Sequence, residues 1–131
     1  MTTATAPATE SVARELVELC RTGRNMEALE KLYAPDIVSI EASDFEGMPA
    51  RMTGLEAIRQ KNAWWFNSFT VNSSAADGPF LNGEQFAVKF TFDTTNKKTG
   101  ERAEGSEVAL YTVKEGKIVE ERFYYAPKQL S

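Results

Sequence analysis

The spacing of apolar residues changes period partway along the chain, and that change divides it into a helical half and a strand half. From Glu10 onward, Val12, Leu16, Leu19 and Cys20 recur on one helical face, and Gly23 is a natural C-terminal stop. Asn25 offers a cap for a second helix with the apolar face Met26, Leu29, Leu32 and Tyr33, which Pro35 ends. Asp36 to Ala42 then reads as a short strand, and Ser43 to Met52 as a loop punctuated by Gly47 and Pro49. Thr53-Gly-Leu-Glu56 has the form of a capping box and opens a third helix running to about Ser68. Its broad stripe is Leu55, Ile58, Asn62, Trp65, Phe66 and Phe69, with Trp64 at the margin. Residues 1–9 are small, polar and interrupted by proline, and are expected to form a disordered tail.

After Phe69 the period shortens. Four strands are predicted, at about Thr70 to Phe80, Gln85 to Thr94, Arg102 to Val113 and Lys117 to Ala126. The last two are rich in aromatic and β-branched residues and meet at Glu115-Gly116, where Gly116 supplies the positive φ of a two-residue turn. In the second, Phe86, Val88, Phe90 and Phe92 share one face, and Ala87, Lys89, Thr91 and Asp93 the other. Four large apolar residues in a row need a helix or a cavity opposite. Helices followed by a meander of strands make an α+β domain, three helices packed in the concave face of a curved, mostly antiparallel sheet. The last two strands are apolar on parts of both faces, which a subunit interface on the outer face would explain.

Composition narrows the function without naming it. A chain of 131 residues fits one domain, here residues 10–131, and 42% hydrophobic with 26% charged residues is ordinary for a globular protein. The net charge of -4, with no basic cluster larger than Lys97-Lys98, argues against nucleic-acid binding. No His is present, which removes the usual zinc ligand sets and every Ser-His-Asp or Cys-His mechanism, and no metal or cofactor is expected. The lone Cys20 lies on an apolar stripe and reads as a core residue. No run is long enough to span a membrane and the N-terminus lacks the regions of a signal peptide, so a cytoplasmic location is expected.

Three segments carry a resemblance: Leu32-Tyr-Ala-Pro-Asp36 closing the second helix, Thr53-Gly-Leu-Glu-Ala-Ile58 opening the third, and Gly116-Lys-Ile-Val-Glu-Glu-Arg-Phe-Tyr124 forming the last strand. With the order of helices, they make the chain resemble the SnoaL-like branch of the nuclear transport factor 2-like superfamily of cone-shaped proteins. The resemblance covers nearly everything after the tail. It specifies no reaction, because that superfamily includes isomerases, cyclases, dehydratases, epoxide hydrolases and non-catalytic binding proteins.

The resemblance implies a cavity wall of Phe86, Val88, Phe90, Phe92, Tyr111, Phe123 and Tyr125, with Trp65 at its floor and Tyr33 and Phe69 beside it. It also implies up to three carboxyl groups on that wall, Glu41, Glu107 and Glu121, which an apolar setting would bias toward the protonated form unless a cation such as Arg51, Arg59, Lys89 or Arg122 paired with them. Matched to the ketosteroid isomerases, Glu41 falls at the position of the carboxylate base. Leu16 and Ala109 fall where that family's two oxyanion donors would be, so isomerisation by its mechanism is not expected. The implied protein is a homodimer that holds a small apolar or aromatic molecule. It is either a cofactor-free lyase, isomerase or cyclase or a binding or accessory protein of the same fold, and more remotely a protein-interaction subunit.

Overall fold

The computed structural model describes residues 5–44 and 47–126. Two helices, α1 (Thr5–Arg21) and α2 (Asn25–Leu32), lead into strand β1 (Tyr33–Ile40). A short strand β2 (Arg51–Thr53) precedes α3 (Leu55–Ser68). Four strands follow, β3 (Phe69–Asn82), β4 (Gln85–Asn96), β5 (Arg102–Lys114) and β6 (Lys117–Tyr124). They form one six-stranded sheet in the order β2-β1-β6-β5-β4-β3, in which every neighbouring pair is antiparallel except β1 with β6. The α+β cone is therefore present, with an open mixed sheet, and the β5–β6 turn has both Glu115 and Gly116 at positive φ, as a two-residue hairpin requires.

The local signals failed where tertiary packing overrode them. α1 begins at Thr5 rather than Glu10, because its stripe extends one turn back: Thr9 is 2% exposed and lies four residues before the fully buried Ala13. Pro7 is tolerated there, since first-turn amides have no helical acceptor. The part of the expected tail before Thr5, and the chain beyond Ala126, lie outside the described residues. Neither expected side-chain cap forms. α2 is preceded by Arg24, and the Asn25 amide donates instead to Cys20 Sγ at 3.5 Å. Before α3, Thr53 ends a strand, Gly54 occupies the cap position at φ 97°, and Glu56 accepts from Arg59 and Gln60. Pairing of β2 with β1 removes Thr53 from the capping geometry.

β1 starts at Tyr33, ahead of the expected Asp36, and its pairing with β6 slips between Tyr33 and Val38. Pro35 falls inside that slip, where its missing N–H costs no ladder bond. β2 arises within a stretch expected to be loop. Met26, expected on the apolar face of α2, is 38% exposed, while Ala28, Leu29 and Leu32 are buried.

The core sits between α1, α2 and the concave face of the sheet, around Val12, Leu16, Val17, Leu29, Ile37, Ile58, Phe86, Val88, Tyr111 and Ile118. On that face of β4, Phe86 and Val88 are buried, Phe90 and Phe92 are partly exposed, and Thr94 is buried again. Phe92 lies against Gly105, where an added Cβ would stand 2.9 Å from the ring, and packs edge-on to Trp65 at 5.9 Å. Glycine at that position makes room for the ring.

Phe86 is 1% exposed and stacks on Tyr111 with ring centroids 4.7 Å apart. Phe86→Ala is expected to cost about 3–5 kcal/mol, whereas Phe80→Ala, at a residue 60% exposed, should fall within about 0.5 kcal/mol of wild type. Urea denaturation checks both; equal losses would contradict this placement of the core.

Candidate functional site

On the concave face, alternation along each strand brings four polar residues together. Ser39 on β1 and Glu41 just beyond it share a face with Ile37; Ser39 is in register with Glu121 on β6, and Glu121 with Tyr111 on β5. Phe123, two residues beyond Glu121, is in register with Ala109, and Glu107 lies two residues from Ala109 on the same side of β5. Into this surface α3 inserts Lys61, whose side chain is only 8% exposed. A buried ammonium without partners would cost several kcal/mol. Lys61 has them: it donates to Glu41 Oε2 at 2.7 Å and to Ser39 Oγ at 2.6 Å, and its Nζ lies 3.9 Å from Glu121 Oε2. The ammonium also stands 5.2 Å from the centre of the Phe123 ring.

From this lysine the hydrogen bonds run in two directions. Inward, Ser39 donates to Glu121 Oε2 at 2.7 Å and Tyr33 donates to Glu121 Oε1. Outward, Tyr125 donates to Glu41 Oε1 at 2.9 Å. Glu41 lines an open depression of about 370 Å³ together with Ile40, Ala42, Arg122, Phe123, Tyr124 and Tyr125. One chain of hydrogen bonds thus connects a surface hollow to the core.

The carboxyl groups differ in their electrostatic setting. Burial pushes Glu121 up, while Lys61 and the Tyr33 and Ser39 hydroxyls hold it down; the net direction is upward. Burial, with repulsion from Glu41 and Glu121, pushes Glu107 up to about 8, only partly offset by Lys61. At neutral pH Glu107 is therefore mainly a protonated acid that keeps some exposure to solvent. Burial, then Glu121, raises the Tyr33 and Tyr111 phenols, and the same two causes push the Cys20 thiol up to about 12, so all three are neutral. Cys20 is thereby a poor nucleophile.

Of the residues singled out from the sequence, Glu41, Phe123 and Tyr125 line the same depression. Glu121 and Tyr33 lie beneath it in the hydrogen-bonded chain, and Glu107 is close enough to feel their charge. Tyr111 is in the core against Phe86. Trp65 contacts both Phe69, at 5.6 Å, and Phe92, at 5.9 Å, in a separate aromatic group, and Phe90 packs partly buried against the core. Of the five aromatic residues expected around one hollow, Phe123 and Tyr125 line this depression, while Tyr111 stacks on Phe86, Phe92 packs edge-on to Trp65 and Phe90 packs against the core.

None of the cations expected to neutralise the carboxylates does so. Arg59 pairs with Glu30 and Glu56, and Arg122 lies 3.9 Å from Glu120. Arg51 and Lys89 are exposed. Lys61 fills that role and was missed, although it stands three residues after Ile58 and four before Trp65, a charged position within the apolar stripe. Ser39 was also missed; its signal was its place two residues before Glu41 on the same strand face. Leu16 and Ala109, which occupy the positions of the isomerase oxyanion donors, are 1% and 0% exposed core residues.

The profile of the SnoaL-like domain matches residues 7–125. A solved structure from Mesorhizobium loti, a SnoaL-like protein carrying a polyketide cyclase designation, is 50% identical over 88% of this chain and 97% of its own, with a TM-score of 0.82. A Bacillus subtilis protein designated an isomerase shares the fold at 19% identity, with a TM-score of 0.76 over 95% of this chain and 91% of its own. A ketosteroid isomerase-like fold from Catenulispora acidiphila, solved with trimethylamine, does so at 18% identity, a TM-score of 0.71 and coverage of 90% and 87%. No curated protein matches the chain. No helix among the described residues is long and apolar enough to cross a membrane. A domain match over most of the sequence, with a half-identical relative of the same fold, establishes that the chain belongs to the SnoaL-like family.

Proposed function

We propose that this protein is a cofactor-free acid–base catalyst of the lyase, isomerase or cyclase type, acting on a small neutral carbonyl compound held in the depression beside Glu41. The observation that carries the proposal is the placing on one concave face of an ion-paired carboxylate, Glu41, and a second carboxyl, Glu107, which burial and its acidic neighbours push up to about 8. Two carboxyl groups in unlike environments are what such chemistry needs, one to accept a proton and one to donate. Glu41 removes a proton from carbon beside the carbonyl, and the resulting enolate oxygen takes a hydrogen bond or a proton from Glu107. This acid lies two residues from Ala109, so it supplies from a neighbouring position the donor that Ala109 cannot. Phe123 and Tyr125 provide an apolar and aromatic surface for the body of the molecule.

A second reading is a binding protein without turnover. It draws support from Glu41 itself, because both of its oxygens accept hydrogen bonds from the protein's own Lys61 and Tyr125. Glu41→Gln separates the two. The substitution keeps the shape and removes the base, so enolisation of a carbonyl probe, followed as α-proton exchange into D2O, should fall about a hundredfold or more while probe binding persists. Wild-type exchange in this variant would refute the base assignment.

Glu107 also makes a prediction about stability. Its carboxyl binds a proton in the folded state that the unfolded chain has released, over the window from its ordinary 4.5 to about 8. Folding is therefore penalised increasingly as pH rises through that window, and the penalty levels off above it. Glu107→Gln removes the titration and should gain on wild type by about 2 kcal/mol between pH 5 and pH 8, allowing for the group's remaining exposure. Parallel pH curves from urea denaturation would refute the protonated-acid assignment.

We also propose that two copies pair through the outer faces of β5 and β6. Val108 and Tyr124 are in register there at 40% and 50% exposure, and Leu110 is partly exposed on the same side. Sedimentation at micromolar concentration is expected to show a dimer that Val108→Asp weakens; a monomer throughout would exclude it.

A further inference from the structure

The acid–base reading uses Glu41 and Glu107 and leaves Lys61 without a chemical role. Three carboxyl groups, from the end of β1, β5 and β6, face one ammonium from α3; the other cation nearby, Arg122, lines the depression beside Glu41 but lies 3.9 Å from Glu120 and forms no ion pair with the three among the described residues. Tyr33, Tyr111 and Cys20 are held neutral by burial and by Glu121, and Tyr125 is raised by partial burial and by Glu41. Two full negative charges left over in a shielded wall would repel strongly, so one carboxyl is driven to keep a proton. Which one keeps it depends on distance to the ammonium.

The geometry of Lys61 is uneven toward the three. It touches Glu41 at 2.7 Å, reaches Glu121 at 3.9 Å and through Ser39, and forms no ion pair with Glu107 among the described residues. We propose that Lys61 is the positioning residue that divides the protons of this wall, fixing Glu41 as the charged carboxylate of the depression and leaving Glu107 as the acid. Its two short hydrogen bonds aim the ammonium at Glu41 and Ser39, and the Phe123 ring stands beside it, so the charge is locked in place. The attraction that Lys61 exerts on Glu107 is the weaker, through-space kind, smaller than the combined effect of burial and the other two carboxylates. The catalytic meaning of this division rests on the acid–base reading above; the division of charge itself does not.

The test reads protons directly and needs no substrate. In full-length protein carrying glutamate labelled with ¹³C at Cδ, the Glu107 carbon should titrate with a midpoint near 8 in wild type. In Lys61→Met the midpoint should rise by about one unit or more, and the three carboxyls together should hold an additional proton at neutral pH. Lys61→Arg, which keeps the charge, should retain the wild-type curve. A Lys61→Met curve superimposable on wild type overturns the proposal. If Lys61→Met does not fold, the double variant Glu41→Gln/Lys61→Met removes both members of the pair and leaves no uncompensated partner in the ion pair. Its Glu107 midpoint should then lie above that of Glu41→Gln alone, and equal midpoints overturn the proposal. Unchanged exchange activity in Glu41→Gln with a shifted titration in the lysine variant would refute the catalytic reading and leave the division of charge standing.

Discussion

A lysine ammonium inside the cone is the constraint around which the concave face is organised. Removing such a group from water costs several kcal/mol unless its donors are satisfied, and here the acceptors come from β1 and the adjoining residue Glu41, with Glu121 on β6 nearby. The parallel pairing of β1 and β6 sets Ser39 beside Glu121, and α3 delivers Lys61 over both. Secondary elements far apart in sequence are thus joined by one polar network. Replacing only one partner strands the others, which makes the network a stringent demand on the fold.

The rest of the interior divides according to distance from that network. Phe86, Val88, Ala109 and Tyr111 close one part of the sheet against α1 with conventional apolar packing. Farther along β4 and β5 the paired residues are Phe90 with Glu107 and Phe92 with Gly105, and these four are only partly buried. Trp65 and Phe69 from the end of α3 and the start of β3 occupy space there, with Phe92 seated over a glycine. These rings stabilise the α3 end of the cone, while the hollow beside Glu41 is bounded by β6 and the residues around the end of β1.

Membership in the SnoaL-like family does not carry a reaction with it, and the interior chemistry explains why. The positions matched to the isomerase donors are Leu16 and Ala109, both core residues, while the charged groups are Glu41, Lys61, Glu107 and Glu121. Structural relatives with identities near one fifth share the scaffold, and the side chains on its concave wall are free to differ.

Read alone, the sequence determined the order of the helices and the five longer strands, the β5–β6 turn and the alternation of Phe86, Val88, Phe90 and Phe92, whereas the candidacy of Glu41 came from the family resemblance. Each of the former depends on residues near one another in the chain: periods of 3.6 and 2, glycine at positive φ, proline at an element boundary. Only the tertiary structure decided that Thr53 would pair in a strand rather than cap a helix, and that Thr9 would be buried within a longer α1. It alone decided that Lys61, rather than any of four arginine or lysine candidates, would reach Glu41. The reason is physical: a salt bridge between residues 20 positions apart, or a hydroxyl contact across 88, is set by strand register and helix placement, and no local propensity encodes either. The lysine did leave a trace, a charge inside the apolar stripe of α3, but that mark becomes a site only when the sheet brings carboxylates beneath it.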